Sequence, residues 1–209
     1  CDSLMASPNG DKLWDSFLAE AVGKGLKGKQ LHNAIPHRRM SATIYKNYPQ
    51  GKITVTDFLL GQYYLYEDAL NSQEWNIEND SMKVVLGHEC QKATCSFRGR
   101  KWTAWFALDV PVSDGPLKFC GLPGLIMEVY DRGKQYYFCI NGMQQVSATP
   151  ITFGNLDKDF KHFQKTDRKD FLLSKYRYLR NQNSINEAST GISLGSVDEA
   201  LKYDLIERE

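Results

Sequence analysis

An imidazole, a carboxylate and a thiol stand side by side at His88-Glu89-Cys90, side-chain types that together suit Cys/His nucleophilic catalysis. In a strand, however, His88 and Cys90 share one face while Glu89 points to the other, and a thiol so placed is more readily packed or disulfide-bonded than catalytic. The five cysteines, Cys1, Cys90, Cys95, Cys120 and Cys139, form no CxxC pair and no His-associated zinc spacing, so no metal site and no cofactor is expected. Cys90 and Cys95, five apart in one strand, face opposite ways about 16 Å apart at roughly 3.3 Å per residue. A disulfide needs Cα atoms within about 7 Å, so any bridge joins different strands, Cys90 or Cys95 with Cys120 or Cys139. The odd count leaves a thiol over, and the redox compartment is not set by cysteines alone. Asp109, Asp114, Glu128 and Asp131 supply carboxylates, but nothing fixes two of them at a glycosidase separation. The chain has no GxSxG elbow, HExxH, P-loop or GxGxxG, and no catalytic residue is assigned.

The most distinctive stretch runs from Trp102 to Asp131. Trp102 and Phe106 fall on one strand face and Trp105 on the other. Asp109 to Pro116 is a Pro/Gly-punctuated excursion unusually apolar for a surface loop. Gly121-Leu122-Pro123-Gly124-Leu125-Ile126 then sets two glycines, which permit close backbone approach, around a proline that fixes φ. Two readings stand: a packed loop that covers the sheet, favoured by physics alone, and a rigid apolar lip of a pocket. The candidate binding residues are Trp102, Trp105, Phe106, Pro116, Gly121, Leu122, Pro123, Gly124, Leu125 and Ile126.

The positioning elements are legible as periodicity. Leu13, Trp14, Phe17, Leu18, Ala21 and Val22 recur at helical spacing, with Gly23 and Gly25 as stop signals. Lys24 to Arg39 reads as a mobile basic loop. Period two follows: strands are expected over 41–48, 52–58, 62–67, 75–78, 82–86, 88–97, 101–108, 125–130, 135–140 and 144–153, with Gly99 in a tight turn. Thr166 or Asp167 caps a helix carrying Phe171, Leu172, Lys175, Tyr176 and Leu179, residues 181–195 read as irregular, and 196–209 as a short helix or last strand. The expected class is α+β: a curved antiparallel sheet, an open half-barrel in one form, with an N-terminal and a C-terminal-region helix packed on it. One domain over 1–209 is expected, divided into 1–40 (helix and loop), 41–153 (strand-rich core) and 154–209 (tail).

Composition sets outer limits. Twenty-six Lys+Arg against 25 Asp+Glu give a net charge of +1, which lacks the cation surplus of a nucleic-acid surface. Apolar residues at 42% and aromatics at 12% suffice for a sizeable core. The longest apolar runs fall far short of the roughly 20 residues of a membrane span. Cys1 is open to two readings, a lipid-bearing mature terminus or a point where a longer chain was cut.

The segment Cys90 to Asp131 resembles the GLPGLI family of secreted Bacteroidota proteins, and Gly121–Ile126 spells its motif in full. The resemblance extends to Tyr45-Lys46-Asn47-Tyr48-Pro49, to Ile53-Thr54-Val55-Thr56-Asp57 and to Tyr203-Asp204-Leu205-Ile206-Glu207. It implies export to the periplasm or cell envelope, with outer-membrane association as one form. It also implies a further β-rich N-terminal stretch, which makes Cys1 a truncation point. Leu117 departs from the aromatic the family tends to place after Gly115-Pro116. No family activity is established, so no catalytic residue carries over. The strand-rich pattern around Trp105-Phe106 also looks like that of lipoprotein-carrier domains, whose curved sheet holds acyl chains. The leading expectation is a non-enzymatic exported binding module for an apolar ligand or protein segment. An accessory subunit of an outer-membrane assembly is the second, and a thiol enzyme using Cys90 or Cys120 the third.

Overall fold

The structure, a computed structural model, describes residues 10–27, 30, 31, 34, 42–147, 163–190 and 205–207. Among them are two helices, α1 (Gly10–Gly23) and α2 (Arg168–Thr190), and nine strands. The strands are β1 (Thr43–Lys46), β2 (Lys52–Leu59), β3 (Gln62–Ala69), β4 (Asn76–Val85), β5 (His88–Phe97), β6 (Arg100–Ala107), β7 (Leu125–Asp131), β8 (Tyr137–Cys139) and β9 (Gln164–Lys165). They form a four-stranded sheet, β1-β2-β3-β9, and a five-stranded sheet, β4-β5-β6-β7-β8, neither closed into a barrel. Every pairing is antiparallel except β3 with β9. The class is therefore α+β and sheet-dominated, as the periodicity predicts, with two open sheets in place of one.

Two-residue turns join the long hairpins, and each has a glycine second. Leu60-Gly61, Leu86-Gly87 and Arg98-Gly99 all adopt positive φ at both positions, the geometry whose twist suits flanking strands. The segments expected at 75–78 and 82–86 are one strand, β4, interrupted where its register with β5 shifts between Glu78 and Met82. The arm expected over 135–140 shortens to β8. Residues 144–147 are not strand, and 148–153 lie outside the described residues.

By compactness the chain divides into Cys1–Ala42 with Lys175–Tyr203, and Thr43–Ser174 with Asp204–Glu209. In the first unit, α1 buries Ala21, and the basic stretch 24–39 lies largely outside the described residues. The second unit holds both sheets. The first turn of α2 packs there on β3, with the Phe171 ring 5.5 Å from that of Tyr64 and 5.6 Å from that of Tyr66. The Asp167 carboxylate accepts the Lys169 N–H at 2.8 Å, an N-cap bond. The helix continues through Thr190, correcting the irregular reading over 181–190, while 191–195 lie outside the described residues. The segment has no Gly or Pro before Gly191, and a polar composition by itself does not interrupt the helical hydrogen-bond ladder.

Both faces of the five-stranded sheet bury residues. Ala93, Cys95, Phe97, Trp102, Ala104, Phe106, Ile126 and Val129 form the larger apolar cluster together with Phe119 and Leu122. Cys90, Val85, Ala107 and Met127 form a smaller one. Cys90 and Cys95 fall in different clusters, as an odd separation in one strand requires.

Candidate functional site

The loop after β6 is fixed at close range. A Cβ on Gly124 would stand 2.0 Å from the Ala107 carbonyl oxygen, and one on Gly115 would stand 2.8 Å from the Ile126 Cβ. Only glycine lets the chain pass so near backbone at Gly124 and so near the Ile126 side chain at Gly115. Gly121 has φ +91°, and its N–H donates to Ser113 Oγ at 3.2 Å. The Pro116 carbonyl accepts the Phe119 N–H at 3.1 Å, the Val110 carbonyl accepts that of Leu125 at 3.0 Å, and the Asp114 carbonyl accepts that of Ile126 at 2.9 Å. Lys46 of β1 enters the same loop, ion-pairing with Asp114 and donating to the carbonyls of Gly115 (2.6 Å) and Phe119 (2.8 Å). From the linker before β4, Gln73 Nε2 donates to the Lys118 carbonyl (3.0 Å) and Trp75 Nε1 to that of Cys120 (2.8 Å).

This geometry sorts the candidate binding residues. Trp102, Phe106, Leu122 and Ile126 are only 2%, 0%, 1% and 3% exposed, packed in the larger cluster, and Gly124 is buried against the backbone of Ala107. The Trp102 ring meets that of Phe119 edge-on at 4.7 Å, a favourable aromatic geometry. Pro116 and Leu125 are half-buried, and Gly121 and Pro123 lie at the surface. Trp105 and Leu125 turn to the opposite face and pack against the smaller cluster, and there Lys83 Nζ sits 4.7 Å over the Trp105 ring and pairs with the buried Glu128. The Tyr130 and Tyr137 rings stack beyond it at 5.9 Å. The candidates are thus not one lining: five are buried, Trp105 and Leu125 belong to the opposite face, and Gly121 and Pro123 lie at the surface.

All four described cysteines are free thiols, so no cross-strand disulfide is made. Cys90 lies in the smaller cluster and Cys95 in the larger, on opposite faces. Cys120 Sγ contacts Gln73 Oε1 at 3.6 Å, and Cys139 is exposed on β8. Burial pushes the Cys90 thiol up from its ordinary range and that of Cys95 up to about 12, the opposite of an activated nucleophile. His88 Nδ1 lies 2.7 Å from Asp109 Oδ2, whereas Cys90 Sγ meets backbone, the His88 carbonyl at 3.5 Å and that of Val85. Imidazole and thiol are sheet neighbours and not a catalytic pair. Among the described residues no His/Cys/Asp/Glu group is arranged to hold a metal ion.

Two features were not singled out from the sequence. One is a buried ion cluster: Asp68, Arg98, Lys118, Arg168 and Glu207, spread over 139 positions of sequence, meet around Tyr66. Burial, with the carboxylates nearby, raises the Tyr66 phenol above its usual range. Arg98, Lys118 and Glu207 of this cluster do fall inside the segments that carry the GLPGLI resemblance, which was the available signal. The second is the outer edge of β4. Among the described residues β4 hydrogen-bonds only to β5. It and its turn expose Ile77 (39%), Met82 (51%), Val84 (66%) and Leu86 (49%). The register sets Ile77 opposite Ala93, Met82 opposite Gln91 and Val84 opposite Glu89, so these three share the face of the larger cluster.

No helix among the described residues is long and apolar enough to cross a membrane, which leaves strand-built membrane proteins unaddressed. Comparison with curated proteins gave no match. Two crystal structures of PNGF-II, in space groups P21 and C2, are similar over 66% of this chain at 14% and 15% identity, each with a TM-score of 0.44. The chain spans 25% of their length, and so slight a likeness carries no functional argument. Residues 91–128, running from β5 into β7, match the model described as "Protein of unknown function (Porph_ging)", the Bacteroidota-associated GLPGLI family whose motif Gly121–Ile126 spells.

Proposed function

We propose that this protein is an exported binding module of the cell envelope that takes an extended protein segment as an added strand along β4. The observation that carries the reading is the β4 edge itself. An unpaired strand edge presents a row of main-chain donors and acceptors that another strand satisfies, and natural proteins ordinarily blunt such edges. Here the edge adds Met82 and Val84, two residues apart on one face, beside the regular Met82–Val85 register. Main-chain pairing supplies the affinity and alternate side chains the selectivity in this mode of recognition. An apolar small molecule is the weaker occupant, because Trp102, Phe106, Leu122 and Ile126, the largest group of side chains expected to grip it, are already buried against one another. The envelope location rests on the secreted character of the GLPGLI family. An outer-membrane assembly, whose spanning members are built of strands, is the setting that fits such a partner.

The test is selection from a displayed library of eight-residue peptides with alternating apolar positions, using the full chain as bait, followed by amide hydrogen exchange of the selected complex. Slowed exchange across Asn76–Val85, abolished by Val84→Lys, is the expected result. Peptides that bind equally well to Val84→Lys, or that protect other strands, would remove this reading. Cell fractionation that finds the protein in the cytoplasm would remove its envelope component.

A further inference from the structure

Leu205–Glu207 is held by contacts of the kind that hold a peptide ligand. Arg100, itself buried, donates from Nη2 to the Leu205 carbonyl (2.8 Å) and from Nε to the Ile206 carbonyl (3.0 Å). Its Nη1 is fixed by Asp131 Oδ2 at 2.7 Å and Gln135 Oε1 at 3.0 Å. The Ile206 side chain packs against the larger apolar cluster. The Glu207 carboxylate faces three cations: Lys118 Nζ at 2.6 Å, Arg168 Nη1 at 3.3 Å and Arg98 Nε at 4.0 Å. Asp68 meets the same three, at 2.6 Å from Lys118, 3.5 Å from Arg168 and 3.0 Å from Arg98. Backbone, apolar side chain and carboxylate are therefore each bound by a separate group, and charge-assisted bonds of this kind are the stronger ones.

The connectivity adds a second fact. The cradle and the segment belong to one compact unit, while residues 175–203, which join Ser174 to Asp204, belong to the other. A short, specifically held segment reached through so long an excursion is suited to replacement by the identical segment of another molecule. We propose that Arg98, Arg100, Lys118 and Arg168 form a recognition site for a short apolar-apolar-Glu segment, which a second copy of this chain can fill with its own Leu205–Glu207. Because it is tethered, the intramolecular contact competes at an effective concentration on the order of millimolar. Exchange is accordingly a high-concentration state in the wild-type chain.

Two measurements test this. In the first, ¹⁴N and ¹⁵N forms of the full chain are unfolded together in urea, refolded at increasing concentration and coupled with a carbodiimide, which joins Lys118 Nζ to the adjacent Glu207 as an amide. A crosslinked peptide of hybrid mass, its fraction rising with protein concentration, is expected. Parental masses alone at every concentration would overturn exchange between copies. In the second, a fluorescent peptide with the sequence of residues 203–209 is titrated into full-length Glu207→Lys, whose own segment no longer fits. Saturable binding is expected, weakened at least tenfold when the peptide carries the same Glu→Lys change. Absence of binding, or binding indifferent to that change, would overturn the recognition site itself. The crosslinking arm uses no variant, so the outcome does not depend on whether Glu207→Lys folds.

Discussion

The centre of the five-stranded sheet and its β4 edge carry the same kinds of side chain on the same face. At the centre, Trp102, Phe106, Ile126 and Val129 pack with Phe119 and Leu122 of the loop and are almost wholly withdrawn from water. At the edge, Ile77, Met82 and Val84 stay between 39% and 66% exposed. The difference lies in what returns over the strands. After β6 the chain doubles back as a Pro/Gly-rich loop, anchored by Lys46, Gln73 and Trp75, and no described segment pairs with the far side of β4. Hydrophobicity in a strand thus says that a surface can be covered, and topology decides whether the chain covers it itself. On this account the centre supplies stability and the edge supplies binding.

Substitutions divide accordingly, and the largest effect belongs to the centre. Gly124→Ala drives a methyl into the Ala107 carbonyl, a backbone atom that cannot yield. A loss of about 4 kcal/mol or more is expected, comparable with the whole stability of many domains. Chemical denaturation read by tryptophan fluorescence checks it, and a near-native midpoint would break the contrast. Glu207→Ala should cost about 3 kcal/mol, because it leaves buried cations facing fewer carboxylates. The same titration measures it, and Glu207→Gln should lose less by retaining hydrogen bonds.

The alkaline limb of stability comes next. The Cys95 thiol is held protonated in the folded chain up to about 12 against an ordinary value of 9.0, so its contribution is complete below pH 9 and is lost as pH rises toward 12. The slope is at most about 1.4 kcal/mol per pH unit. The raised Tyr66 phenol adds to the loss above its ordinary 10.0. Cys95→Ala should flatten the thiol part of the slope, as seen in thermal melts across that range. Thiol labelling sharpens the same division without mutation: of Cys90, Cys95, Cys120 and Cys139, only Cys139 should react in the native state at pH 8, the other three reacting at the rate of unfolding. The smallest stability effect is expected at the edge, where Val84→Lys should change unfolding free energy by less than about 0.5 kcal/mol while removing partner binding.

Much of the sheet was legible because its hairpins announce themselves locally. His88–Phe97 was read to the residue, and Gly99 marked the turn that follows. The two-faced character of β6, with Trp102 and Phe106 opposed to Trp105, followed from period two. The β4 strand was less legible, since Asn79-Asp80-Ser81 resembles a turn in sequence, whereas in the fold it absorbs a register shift within one strand. The role of the GLPGLI stretch was readable only as two alternatives, because whether Gly124 admits a ligand or the chain's own backbone depends on Ala107, which lies seventeen positions before it. The ion cluster was out of reach for the same reason: Asp68 and Glu207 are remote in sequence, and nothing local in either residue names the cations it meets.

The central claim, that β4 is a binding edge, is tested most directly by amide exchange on the full chain bound to a peptide selected from the alternating library. The account predicts slowed exchange concentrated in Asn76–Val85, no change across Trp102–Phe106, and loss of the effect in Val84→Lys. Protection confined to Trp102–Ile126, with β4 exchanging as in the free protein, would contradict it and return the binding role to the loop.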